Sequence, residues 1–135
     1  MKNRICLVVA NYYPNISKDL IIGASKILNQ EGIKSFKKII TPGVFEIPII
    51  IAHNINKFDA FIALGCVIKG KTPHFDFISR STISAIMYLS ITSKKVIGNG
   101  IITCLNKKQA LERSNPKKRN KGGEAAKAIL SVLKI

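Results

Sequence analysis

Cysteine is scarce in this sequence. Cys6, Cys66 and Cys104 are the only three in 135 residues, with no CxxC spacing and no histidine close by. Each lies in or at the end of an apolar run. The pattern argues against a disulfide framework or a zinc site and reads as reduced core thiols of a cytoplasmic protein. Long apolar runs are missing as well. The longest, such as "FIALGCVI", fall far short of a bilayer's thickness. The start, "MKNRICLVVANYYP", is basic, but its apolar stretch is only "ICLVVA". That reads as a strand rather than a signal peptide. Acidic residues are few, 7 against 22 Lys and Arg, for a formal charge of +15. Such a charge attracts nucleic acid, membranes or phosphorylated small molecules. The same excess of Lys, with abundant Ile, Asn and Ser, also follows from AT-rich coding. No long basic helix, RGG tract or basic-aromatic surface pattern is present, so neither a nucleic-acid partner nor a membrane partner is expected.

What is present is a globular composition, 47% hydrophobic, in a length suited to one domain, residues 1–135. Short apolar runs alternate with helical periodicities. Strands are predicted over 5–10, 36–40, 60–68 and 95–102. Helices are predicted over 17–31, 45–56, 75–92, 107–113 and 122–133. Ser17 reads as an N-cap and Gly32 as a helix stop. Pro48 is tolerable only near a first turn. "SNPKKRNKGG" reads as a polar loop between helices. Strand followed by helix, four times over, predicts a four-stranded parallel sheet with right-handed crossovers and helices on both faces. This is a three-layer α/β/α fold of the flavodoxin-like kind, which binds ligands outside the carboxyl ends of its strands.

That rule gives the loops meaning. "NYYPN" (11–15), "TPGVFE" (41–46) and "KGKTPH" (69–74) follow the first three strands and line one edge. Aromatic rings to sandwich a flat molecule stand there beside polar groups to orient it. "KGKTPH" offers lysines, backbone N–H groups and a hydroxyl just ahead of a helix, a natural phosphate cradle. It also carries His74, and histidine is the side chain that ordinarily titrates near neutrality. His53 falls inside a helix, outside any motif, and reads as structural or surface.

Three segments resemble one known family. "TPGVFEIP" is similar to "VPGAFEIP" of the lumazine synthases, "ALGCVIKGKTPHFDF" to "ALGCVIRGETPHFDY", and "GNGIIT", "QALERS" and "NKGGEAA" to a third motif set. The resemblance runs in order from about Ile5 to Leu133. It implies the flavodoxin-like fold and a transferase of riboflavin biosynthesis. That reaction condenses 5-amino-6-(D-ribitylamino)uracil with 3,4-dihydroxy-2-butanone 4-phosphate, with no metal and no cofactor. The resemblance implies proton transfer by His74. It places Tyr12, Val44, Phe45, Glu46, Cys66, Val67, Ile68, Asn99 and Lys121 around the pyrimidine and its ribityl chain. Gly70, Lys71, Thr72 and Arg113 are implied at the phosphate. Taken alone, Arg113 would be a surface helix charge and Lys121 a solvated loop charge; "QALERS" and "NKGG" give them their implied roles.

Several positions depart from the family pattern. Val44 replaces Ala, Tyr13 stands where Asn is common, and Asn99 where many members carry Phe. Lys69 replaces Arg, Lys71 replaces Glu or Ala, and Ser81 replaces Glu. A catalytically weakened scaffolding or ligand-binding subunit is the alternative these departures raise. The resemblance further implies rings of five, with Arg113 and Lys121 reaching an adjacent subunit's pocket, and riboflavin synthase as a partner. The first strand begins four residues into the chain, without the extension that adds a strand to a neighbour's sheet. The expectation is therefore a pentamer rather than a shell of sixty.

Overall fold

The structure is a computed structural model and describes residues 3–134. Four strands form one parallel sheet in the order β2-β1-β3-β4. They are β1 (Ile5–Ala10), β2 (Lys37–Thr41), β3 (Ala60–Ile68) and β4 (Val96–Cys104). The five helices are α1 (Pro14–Gln30), α2 (Ile47–His53), α3 (His74–Ser93), α4 (Lys107–Ser114) and α5 (Lys121–Leu133). The predicted α/β/α architecture is the observed one. Among the described residues, no helix is long and apolar enough to cross a membrane.

The continuous apolar runs belong to the two central strands. Every residue of β1 is buried, as is β3 from Ala60 to Cys66. Alternation splits their side chains between two cores. Ile5, Leu7 and Val9 face one side, with Ile62 and Leu64, under α1 and α5. Cys6, Val8 and Ala10 face the other, with Phe61 and Ala63, under α2 and α3. Each fully buried Leu or Ile contributes roughly 1.5–3 kcal/mol. β2 lies at an edge, where Lys37 and Lys38 stay exposed. Charge on such an edge discourages pairing with other chains.

The helix expected to begin at Ser17 begins at Pro14. Proline's fixed φ suits a first helical position, and its missing N–H costs nothing there. Ser17 is buried one turn in. Its hydroxyl donates to the Ala10 carbonyl at 2.7 Å, pinning α1 to the end of β1. This fixes the short Asn11–Tyr13 connection over the sheet edge. The other end of α1 closes as expected. Gly32 takes a left-handed φ of 82°, and the Ile33 N–H donates to the Leu28 carbonyl at 2.9 Å. The helix expected over 45–56 divides into a 3₁₀ turn, Val44–Glu46, and the shorter α2, with Pro48 in its first turn. β4 runs two residues further than predicted, so Thr103 and Cys104 belong to the sheet.

α1 and α5 pack side by side over the sheet. Leu20, Ala24 and Leu28 meet Ala125, Ala126 and Ile129 in one core. Gly122 makes the approach possible, because a Cβ there would collide with the Leu20 backbone carbonyl.

Candidate active site

The loops after β1, β2 and β3 converge on the carboxyl edge of the sheet, as the topology requires. They enclose a cavity of about 500 Å³, the size range of small-molecule sites. From the first loop come Tyr12 and Tyr13, with ring centroids 4.9 Å apart at 79°. This edge-to-face contact holds Tyr12 upright although it is 72% exposed. The Tyr13 ring packs against the core under α1, and burial pushes its phenol pKa above the ordinary value, helped by the neighbouring Cys66 thiol. From the second loop come Pro42, Gly43, Val44, Phe45 and Glu46. The Gly43 N–H donates to Glu46 Oε1 at 3.0 Å, closing the turn. Val44 is buried, and Phe45 is 61% exposed.

β3 supplies the floor with Cys66, Val67 and Ile68. Cys66 is buried, and its thiol pKa is pushed up to about 12, chiefly by desolvation and then by the adjacent Cys104 thiol. At neutral pH it is an uncharged surface rather than a nucleophile. Beyond β3, Gly70, Thr72 and His74 complete the wall. The Lys69 N–H donates to the Cys104 carbonyl at 2.9 Å, tying this loop to the end of β4. The His74 N–H donates to Thr72 Oγ1 at 3.4 Å. α3 starts at His74, so its first N–H groups point at the same loop.

Ten residues singled out in the sequence thus line one cavity: Tyr12, Val44, Phe45, Glu46, Cys66, Val67, Ile68, Gly70, Thr72 and His74. Lys71, Asn99, Arg113 and Lys121 do not. Lys71 is exposed on the loop itself. Asn99 lies mid-strand on β4 opposite Ala63, exposed, with Oδ1 accepting from the Ile101 N–H at 3.1 Å. Arg113 leaves the last turn of α4, and its Nη1 donates to the Thr103 carbonyl at 2.9 Å. Lys121 opens α5, 3.3 Å from Glu124. These last three stand on β4, an edge strand, or on the helices that follow it.

The cavity also includes Tyr13, noted in the sequence as a departure from the family pattern, and Pro42, Gly43, Phe75 and Ile78, which were not among the implied site residues. Tyr13 carried a usable signal, since it falls in the loop after β1. Phe75 and Ile78 follow from α3 beginning at His74, which turns its first apolar residues toward the opening.

A family model described as 6,7-dimethyl-8-ribityllumazine synthase matches residues 2–135. The chain belongs to this family. Curated proteins described as 6,7-dimethyl-8-ribityllumazine synthases match over most of their length. The one from Bartonella tribocorum is 39% identical, with 99% of this chain and 90% of the relative covered. The one from Erythrobacter litoralis is 39% identical, with 98% and 94% covered. A Rhodopseudomonas palustris relative described as 6,7-dimethyl-8-ribityllumazine synthase 1 is 40% identical, with 98% and 85% covered. The lumazine synthase motifs "TPGVFEIP" and "ALGCVIKGKTPHFDF" thus supply cavity walls, while the third motif set lies on β4, α4 and α5, outside the cavity.

Proposed function

We propose that this chain condenses 5-amino-6-(D-ribitylamino)uracil with 3,4-dihydroxy-2-butanone 4-phosphate to give 6,7-dimethyl-8-ribityllumazine, and that it does so at this cavity. The observation that carries the reading is the coincidence of the family's motifs, residues 43–46 and 65–74, with the walls of one cavity at the carboxyl edge of the sheet. The pyrimidine ring lies on the Tyr12 face and meets the Val44–Glu46 turn, with Cys66, Val67 and Ile68 beneath it. The phosphate of the second substrate sits at Gly70, Lys71 and Thr72, facing the start of α3, where N–H groups and the helix dipole favour an anion. The substrate amine attacks the butanone carbonyl. Water leaves to form the imine, phosphate is eliminated, and the second nitrogen closes the ring with loss of water. Every bond made or broken lies within the two substrates. The protein's part is to hold them in register and move protons. His74, at the rim beside the phosphate loop, is the proton carrier.

Arg113, Lys121 and Asn99 serve the cavity of an adjacent copy. Their placement along and beyond an edge strand, outside their own chain's cavity, supports this. So does the outer side of α3, where Phe77, Met87, Tyr88 and Ile91 are each more than half exposed. An apolar face of that extent suits burial against another copy. The assembly is a ring of five, working in the cytoplasm.

Mixing the purified protein with both substrates is expected to produce lumazine absorbance well above the spontaneous rate. A rate equal to the protein-free control overturns the assignment, and tight binding of a ribitylated pyrimidine without turnover points to a scaffolding subunit instead. Light scattering at physiological salt is expected to give a mass near five times the 14.8 kDa of one chain. An active monomer contradicts the shared site, and a mass of sixty chains contradicts the ring of five.

A further inference from the structure

One contact of Arg113 comes from a side chain with no role so far. Nη1 donates to the Thr103 carbonyl at 2.9 Å and lies 3.8 Å from Cys104 Sγ. Cys104 is fully buried as the last residue of β4. It shares a core with Cys66 two rows along the adjacent strand, since Cys66 pairs with Ile102 and Ile68 with Cys104. Cys66 in turn forms part of the cavity floor.

A guanidinium has five N–H donors in a rigid plane. Here two acceptors from the end of β4 hold the same terminal nitrogen. They set the plane of the group and leave Nε and Nη2 to meet another partner. Sulfur suits this position. It is apolar enough to be buried without penalty, and its polarizable lone pairs accept weakly from a cation. A valine would fill the space without accepting, and an alanine would leave a gap beside the guanidinium. We propose that Cys104 is a positioning residue for Arg113, orienting the guanidinium to take phosphate oxygens. This rests on the reading of Arg113 as a phosphate ligand.

The test uses Cys104→Val, Cys104→Ala and Cys104→Ser in the assembled protein. Steady-state kinetics give KM for each substrate, and calorimetry with inorganic phosphate reads the same site without turnover. In the Val and Ala variants, KM for the butanone phosphate and Kd for inorganic phosphate should each rise about three- to tenfold, as expected for losing one weak contact to a charged donor. KM for the pyrimidine and kcat at saturation should stay within twofold. Cys104→Ser, which restores an acceptor, should recover most of the phosphate affinity. In an Arg113→Ala background, Cys104→Val should add nothing. The Val variant keeps the core filled, and an unchanged thermal midpoint separates positioning from damage to the fold. Unchanged phosphate affinity in both the Val and Ala variants overturns the proposal. So does an equal rise in both substrates' KM, the mark of a purely structural residue. If Arg113→Ala itself leaves phosphate affinity intact, it is the reading of Arg113 that fails. If Arg113→Ala weakens phosphate and the Cys104 variants do not, only the role of Cys104 fails.

Discussion

Replacing His74 with alanine is expected to lower kcat by about two orders of magnitude and to change KM for the pyrimidine only a few-fold. Positioned proton transfer is generally worth about 10²–10⁴ in rate. The lower end applies here, because the substrates carry their own amine and carbonyl and condense slowly unaided. Little else should change. The His74 side chain is exposed, and the residue's anchor is its backbone, whose N–H donates to Thr72 Oγ1 at 3.4 Å. The loop therefore keeps its shape without the imidazole, and the pyrimidine keeps the Tyr12 face and the Val44–Glu46 turn. A His74→Ala protein with wild-type kcat would remove His74 from the proton path. A large rise in pyrimidine KM with kcat intact would make it a binding residue instead.

Arg113→Ala should raise KM for the butanone phosphate tens-fold or more and spare the pyrimidine. A charge-assisted hydrogen bond contributes about 1.5–3 kcal/mol, and a guanidinium can make two in parallel to one phosphate. Arg113→Lys should recover only part of this, since an ammonium keeps the charge and loses the fork. The fold should tolerate both changes. α4 is held by Ala110, fully buried, and by its Asn106 cap, whose Oδ1 accepts from the Gln109 N–H at 2.9 Å. Arg113 itself is only half-buried. If phosphate-substrate dependence is unchanged in Arg113→Ala, the phosphate is held elsewhere, and Lys71 and Lys69 become the cations to test.

The central strands were legible in the sequence because nothing polar interrupts them: "ICLVVA" and "AFIALGCVI" cannot face water on either side. Boundaries were less so. Ser17 has the chemistry of a cap, yet its hydroxyl is engaged by the Ala10 carbonyl, a partner that exists only after α1 folds onto β1. Local pattern carries no trace of that contact. Similarly, "TC" after "GII" reads as loop, and the sheet extends through it because β3 offers Val67 and Ile68 as partners. The cavity followed from one rule of topology, which brought three loops together. What the chain's own pattern left unstated was the place of Asn99, Arg113 and Lys121. Each sits outside this chain's own cavity, on or beyond the edge strand β4, a placement that fits the proposed sharing of the site between copies. Tyr13 was visible in its loop but stood where the family commonly has Asn. The structure turns its ring into the cavity wall.

The pairing of α1 with α5 bears on how this protein is made. α1 ends at Gln30, and α5, which covers it, begins at Lys121. On the ribosome, Leu20, Ala24 and Leu28 emerge early; β1 and then β3 cover part of that face, and the α5 side stays open until Ala125, Ala126 and Ile129 emerge. The helix cannot shelter alone, because helices gain most of their stability from packing. Closing so long a loop also costs entropy before the contact returns anything. Until α5 arrives the nascent chain shows an oily flank, and until β4 arrives the unpaired edge of β3, features that invite aggregation and chaperone capture.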